Sequence, residues 1–243
     1  MPLTLESKVI DEVAVIVCKG RLTYGAETEA LEKEVERQMK VAGANVYALK
    51  HLVLNLADTE FIDSAGLGTL VRLLATLRAG GGGLKLCQPS TKVVRVIETT
   101  NLGSLFPQYA SEAEAVEAFE TAEARPGGRP KSSKTRIVCV DPSKDLLAGL
   151  YALLSHAGYE VFSTRYVGDA AALARTCTPA ILICGPGMIT VPTASSVIDN
   201  LRRSGEGVEI LQLPANFHMA EAGEAGGELL SRLQKTIAGR ASR

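Results

Sequence analysis

Ten residues in the middle of the chain, Arg125-Pro126-Gly127-Gly128-Arg129-Pro130-Lys131-Ser132-Ser133-Lys134, constrain the fold more than any other stretch. Two prolines, two glycines and four cations deny this segment a packed helix or strand, so it reads as a solvated linker. It divides the 243 residues into domains at 1–124 and 135–243, each of ordinary domain size. Both sides alternate short apolar runs with helical periodicity, which predicts two α/β domains.

In the first domain the spacing predicts strands over Leu3–Lys8 and Val13–Lys19, turning at Asp11-Glu12, and a helix over Glu27–Ala42 with Leu31, Val35, Gln38 or Met39, and Ala42 inward. Gly43–Lys50 reads as a loop and His51–Leu56 as the central strand. A short loop then leads to a helix ending near Ala79. Gly80-Gly81-Gly82-Gly83 precedes a strand, Leu84–Cys87, and no Gly-Lys-Ser/Thr follows it. It is therefore a helix cap and turn, not a phosphate loop. Thr91–Glu98 is a short helix, Leu105–Tyr109 an edge strand, and Glu112–Glu123 a helix with Ala115, Val116 and Phe119 inward. Beyond the linker, strands are predicted at Arg136–Val140, Tyr159–Thr164, Ala180–Cys184 and Val208–Leu213. Helices are predicted at Ser143–His156, Val167–Thr176, Ser195–Arg203 and Gly227–Ala238. Counting helix-like segments, five helices and four strands suggest a doubly wound parallel sheet.

Charge and cysteine usage narrow the function. Residues 1–124 carry 12 basic and 17 acidic side chains, and residues 135–243 carry ten of each. Surplus positive charge is thus a linker property, and its four cations neutralise few phosphates, so no nucleic-acid partner is expected. Five cysteines, with no CxxC, indicate neither a disulfide framework nor a zinc site; Cys18, Cys139 and Cys184 sit in apolar runs and read as small core residues. The start of the chain does not read as a signal peptide, and no apolar run approaches the roughly 20 residues a membrane span needs. A cytoplasmic protein without cofactor or metal is expected.

The chemistry concentrates at Phe61-Ile62-Asp63-Ser64-Ala65-Gly66-Leu67-Gly68, where a strand feeds a helix. Asp63 and Ser64 are good helix caps, Gly66 and Gly68 thin the first turn, and the helix N-terminus favours added negative charge. As a hydrolase nucleophile Ser64 fails. The nucleophile elbow needs glycine where Ile62 stands, and of His51, His156 and His218 only His51 shares its domain. His51, opening a strand, reads as structural.

This octet closely resembles the phosphorylation loop of the anti-sigma factor antagonists, the bacterial STAS-domain family, and a looser likeness runs from Leu3 to Glu123. The resemblance implies a STAS-like mixed sheet with helices and Ser64 as phosphoacceptor. It also implies a protein partner, an anti-sigma factor that is a serine kinase and supplies the ATP. This chain itself would not be an enzyme. Thr23, Asp58, Asp63, Ser64, Gly66, Leu67, Gly68 and Arg72 are the expected partner-binding residues, with Ser64, Gly68 and Arg72 as an exposed stripe. Related antagonists often carry aspartate at the Thr23 position. Two rival classes remain: a scaffold or adaptor in which Ser64 is never modified, and a STAS module sensing a small anion or nucleotide.

The second half is similar to a response-regulator receiver in layout only. Asp141 stands alone where that family carries two acids, Gly185 takes the phosphoacceptor position, and Pro214 replaces the switch hydroxyl. One carboxylate is a poor Mg²⁺ site. A degenerate receiver-like, doubly wound parallel sheet incapable of phosphotransfer is expected, serving protein docking or homodimerisation.

Overall fold

A computed structural model describes residues 1–41, 50–100, 102–123, 134–203, 208–217 and 224–241. Its contacts divide the chain into two compact units, Met1–Lys131 and Ser132–Arg243. All of the linker expected at 125–134 except Lys134, most of the loop expected at 43–50, and Ala42 lie outside the described residues.

The first unit opens with β1 (Thr4–Ile10) and β2 (Val13–Leu22), an antiparallel hairpin turned by Asp11 and Glu12, both at positive φ. That is the backbone a two-residue hairpin loop with the sheet's twist requires. Helix α1 (Ala26–Val41) follows, with Leu31, Val35 and Gln38 buried. Strand β3 (His51–Asn55) then enters parallel to β2. A short strand, β4 (Thr59–Ile62), pairs in parallel with the end of β2 where only a loop was expected. Helix α2 (Ser64–Ala79), β5 (Gly83–Cys87), α3 (Thr91–Thr99), β6 (Gln108–Tyr109) and α4 (Glu112–Glu123) complete the unit. The sheet order is β1-β2-β3-β5-β6, with β4 beside β2, and its single antiparallel pair makes it mixed. Only the last two residues of the expected edge strand pair, because Leu105 and Phe106 turn into the core.

Helix α4 covers one sheet face: Ala115, Val116 and Phe119 pack on Val13, Val15, Val53 and Cys87. Phe119 also stacks on His51, with ring centroids 4.3 Å apart. Lys85 projects into the same layer, 8% exposed, its ammonium 3.7 Å from the Phe119 centroid and 5.4 Å from that of Tyr109. Its Nζ has no hydrogen-bond partner among the described residues, and burial pushes its pKa down to about 8.

In the second unit β7 (Arg136–Val140), β8 (Glu160–Thr164), β9 (Ile181–Cys184) and β10 (Glu209–Gln212) form a parallel sheet in the order β10-β9-β7-β8. Chain order reverses at β7, as in doubly wound folds. Helices α5 (Lys144–His156), α6 (Val167–Cys177), α7 (Ala194–Arg203) and α8 (Glu224–Ala241) accompany it, with a 3₁₀ turn at Pro186–Thr190. Leu146, Leu150 and Leu154 of α5 meet Leu229 and Leu233 of α8 in one core with Ile137 and Ile183. All five cysteines are buried and free. Burial pushes the Cys18 and Cys139 thiols up to about 12, which makes them core residues rather than nucleophiles. No described helix is long and apolar enough to cross a membrane.

Candidate functional site

The octet is positioned by the crossing from β3 to α2. Leaving β3, the chain is gathered by Asn55, whose Oδ1 accepts the Ala57 N–H at 3.0 Å, and by a Thr59 hydroxyl that donates to Cys18 O at 2.9 Å. These bonds turn the chain back along β2, so that Leu22 and Ile62 pair and both are buried. At the end of β4 the Asp63 N–H donates to Leu22 O at 3.3 Å, and the next residue begins α2.

Asp63 is the N-cap and acts in two directions. Its Oδ1 accepts the Gly66 N–H at 2.8 Å, satisfying an orphan donor of the first turn, and its Oδ2 accepts the Tyr24 N–H at 3.1 Å. One carboxylate therefore pins the start of α2 to the segment after β2. Gly66 is needed there, since a Cβ on it would lie 2.3 Å from Leu22 O. Ser64, the first helical residue, is exposed, and its hydroxyl has no hydrogen-bond partner among the described residues. The first turn of α2 contains no acidic residue. Added negative charge at Ser64 would meet the unpaired N–H groups of the helix start without a carboxylate inside that turn.

The expected contact residues separate into four groups. Ser64, Asp63 and Thr23 converge at the helix start, with Thr23 half-buried beside Tyr24. Gly66, Leu67 and Gly68 are buried, so the stripe expected from Ser64 through Gly68 to Arg72 is interrupted. The reason is that α2 buries nine of its sixteen residues, a wider face than a single stripe. Arg72 is exposed two turns along the helix, roughly 12 Å from Ser64. Its guanidinium donates to Thr69 Oγ1 at 2.7 Å and to Glu32 Oε1 at 3.2 Å, joining α2 to α1. Asp58 is exposed at the opposite end of β4, roughly 13 Å by strand rise from Ile62, which precedes the Asp63 cap. There it borders an open cleft of about 630 Å³ with Lys19, Ser90 and Lys92.

Beside Ser64 stand two residues that aromatic composition alone assigns to a core. Tyr24 is 84% exposed and Phe61 is 43% exposed. The Arg21 guanidinium lies 5.7 Å from the Phe61 ring centroid, across the β2–β4 pair. Phe61 opens the octet, whereas Tyr24 lies outside it and its only signal is its place one residue after Thr23.

In the second unit the Asp141 carboxylate is buried, and both its oxygens are occupied. Oδ1 accepts the Ser143 N–H at 2.7 Å and Oδ2 accepts the Gly187 N–H at 2.8 Å. A Cβ on Gly185 would lie 2.2 Å from Oδ2, so no other residue fits that position without displacing Asp141. This acid staples the loop after β7 to the loop after β9. Among the described residues no group of three or more His, Cys, Asp or Glu is placed to hold a metal ion.

The STAS domain family model matches residues 4–115, within the first unit. A candidate anti-sigma factor antagonist of Thermotoga maritima is 31% identical over 110 residues, 45% of this chain and 92% of that protein. BtrV, a candidate anti-sigma factor antagonist of Bordetella bronchiseptica, is 33% identical over 125 residues, 51% of this chain and all of that protein. A third such protein, from Thermotoga neapolitana, is 38% identical over 113 residues, 46% of this chain and 95% of its own length. With a STAS domain built around Ser64 and relatives matched over nearly their whole lengths, the chain belongs to the anti-sigma factor antagonist family.

Proposed function

We propose that Ser64 is the phosphoacceptor of a partner-switching device that regulates transcription. Unmodified, the helix start binds an anti-sigma factor that is also a serine kinase, and that partner gives up its sigma factor. The kinase then transfers phosphate to the Ser64 hydroxyl, and the complex dissociates. The observation that carries this reading is the exposed, unbonded hydroxyl at the first position of a helix whose first turn holds no acid.

Phosphorylation adds about −1.5 to −2 charges. The helix end accommodates that charge, so the fold stays as it is and the consequence falls on the partner. Phosphate and its hydration occupy the space a dry contact would fill. A loss of about 3 to 4 kcal/mol weakens binding by two to three orders of magnitude, enough to exchange partners. Because Gly66, Leu67 and Gly68 are internal, their part is to seat the helix; the partner meets Ser64, Thr23 and the exposed rings of Tyr24 and Phe61.

Incubation with the cognate kinase and ATP, followed by mass spectrometry, should place phosphate on Ser64. Ser64→Ala should abolish labelling yet retain the complex, and Ser64→Asp should weaken it. Normal labelling of Ser64→Ala would refute the site.

We assign the second unit a protein-docking or dimerising role without phosphotransfer, supported by the full occupation of the Asp141 oxygens. Light scattering of the full chain against residues 1–131 tests this. An unchanged oligomeric state together with unchanged partner binding counts against it.

A further inference from the structure

Among the described residues the one partner of Arg21 is a ring. Its guanidinium lies 5.7 Å from the Phe61 centroid, and among the described residues no carboxylate pairs with it. The cations around it are differently placed: Lys19 is held by Glu6, Arg72 by Glu32 and Thr69, and the N-terminal amine by Glu60. An uncommitted guanidinium on the last turn of β2 is therefore a local property of the Ser64 neighbourhood.

The backbone fixes how close it is. The bond from the Asp63 N–H to Leu22 O, and that from the Tyr24 N–H to Asp63, lay the end of β2 against the start of α2. Arg21 and Ser64 are each one residue removed from the Leu22–Asp63 bond. Their Cα atoms are thus no more than roughly 13 Å apart, counting one inter-strand spacing and two peptide steps. An extended arginine and a phosphoserine together span that interval. The neighbouring carboxylates are already engaged elsewhere: each Asp63 oxygen accepts a backbone N–H, and Glu60 is paired with the N-terminus.

Building on the phosphoserine reading above, we infer that Arg21 is the intramolecular receptor for the phosphate on Ser64. In the unmodified protein the guanidinium rests on Phe61, a weak attachment at an exposed site. Two parallel N–H···O bonds to a phosphate dianion are the stronger claim on it. Phosphorylation moves Arg21 from the ring to the phosphate and leaves Phe61 uncovered. The phosphate thereby acts twice, adding bulk at Ser64 and removing the cation that an unmodified complex would find over Phe61.

The test needs no kinase. Phosphoserine is placed at position 64 of the full chain during translation, and the phosphate is titrated by ³¹P NMR. Against an ordinary second pKa of about 6, the native-sequence phosphoprotein should titrate about 0.5 pH lower than its Arg21→Gln counterpart, roughly a threefold difference in the protonation constant. Arg21→Lys should fall between them, and the difference should shrink in 1 M salt. Arg37→Gln, which removes a cation already held by Glu34, should leave the titration unmoved. The Phe61 ring resonances should shift on phosphorylation in the native sequence and stay in place in Arg21→Gln. Equal phosphate titration in the native and Arg21→Gln proteins, both folded by their amide spectra, overturns the inference. A kinase that ignores Ser64 would refute only the reading on which it rests.

Discussion

Lys85 offers the sharpest test of how α4 is held. Its ammonium is enclosed by Phe119 and Tyr109, without a hydrogen bond or a carboxylate, and its pKa is pushed from 10.5 down to about 8 by burial. That depression corresponds to about 3 kcal/mol against the charged form. The rings return about 1 to 2 kcal/mol through cation–π attraction. Desolvation wins, so Lys85→Met, which keeps the length and drops the charge, should stabilise the first unit by about 1 to 2 kcal/mol at pH 7. The sign of the pH dependence follows from the native state binding this proton less tightly than the unfolded chain. Stability rises as pH climbs from about 8 to 10.5, is fully gained above that range, and is withheld below it. The advantage of Lys85→Met should therefore fade across the same range. Segment-resolved hydrogen exchange in a urea series, read on β3 and β5, reports this unit by itself. A variant no more stable than the native sequence at pH 7, with a pH-independent difference, would refute the reasoning.

Four further outcomes follow from particular contacts. Gly66→Ala sets a Cβ 2.3 Å from Leu22 O and should cost about 2 to 4 kcal/mol in thermal or urea unfolding, with early loss of protection in β4. Glu34 accepts hydrogen bonds from Arg37, Gln38 and Ser7, and the Arg37 guanidinium foremost holds its pKa down to about 2. Its stabilisation is complete above about 4.5 and lost as pH falls through 2, so Glu34→Gln should lower neutral stability by about 1 kcal/mol, allowing for the exposed Arg37, and flatten the acid limb of a pH–urea series. Asp141→Ala strands the Ser143 and Gly187 N–H groups and should cost the second unit about 3 kcal/mol, visible as faster exchange in β7 and β9. If the partner proposed above docks on this rim, Tyr24→Ser should weaken that binding about 30-fold, as loss of an exposed aromatic anchor does, and leave the melting temperature unchanged.

The elements readable from sequence are those whose burial follows one period. Strand β2 begins at Val13 and helix α5 ends at His156 as expected, and the α4 residues Ala115, Val116 and Phe119 face inward where spacing put them. Strand β4 was illegible because it is four residues long and reads buried, exposed, exposed, buried, which no alternation rule selects. Its pairing is supplied by β2, forty residues away in sequence. The expected stripe through Gly68 failed for a related reason: helical spacing shows which residues share a face, but not how many faces the fold covers. Asp58 and Ser64, six residues apart in sequence, are separated by the run of β4. The exposure of Tyr24 and Phe61 is likewise tertiary information, since aromatic residues carry no mark of which side of a sheet end they will occupy.

This division bears on how an antagonist of this family distinguishes partners. The residues that make the octet recognisable, Gly66, Leu67 and Gly68, are committed to seating α2 against β2. The groups left facing outward are Ser64, the flank of Thr23, and the Tyr24, Phe61 and Arg21 cluster, which the octet does not specify beyond Phe61 and Ser64. Change at Tyr24 or Arg21 alters shape and charge at the rim without touching the Asp63 cap, whose bond to Tyr24 comes from the backbone N–H and survives any substitution other than proline. Partner choice can therefore diverge at the rim while the Asp63-capped helix start stays intact.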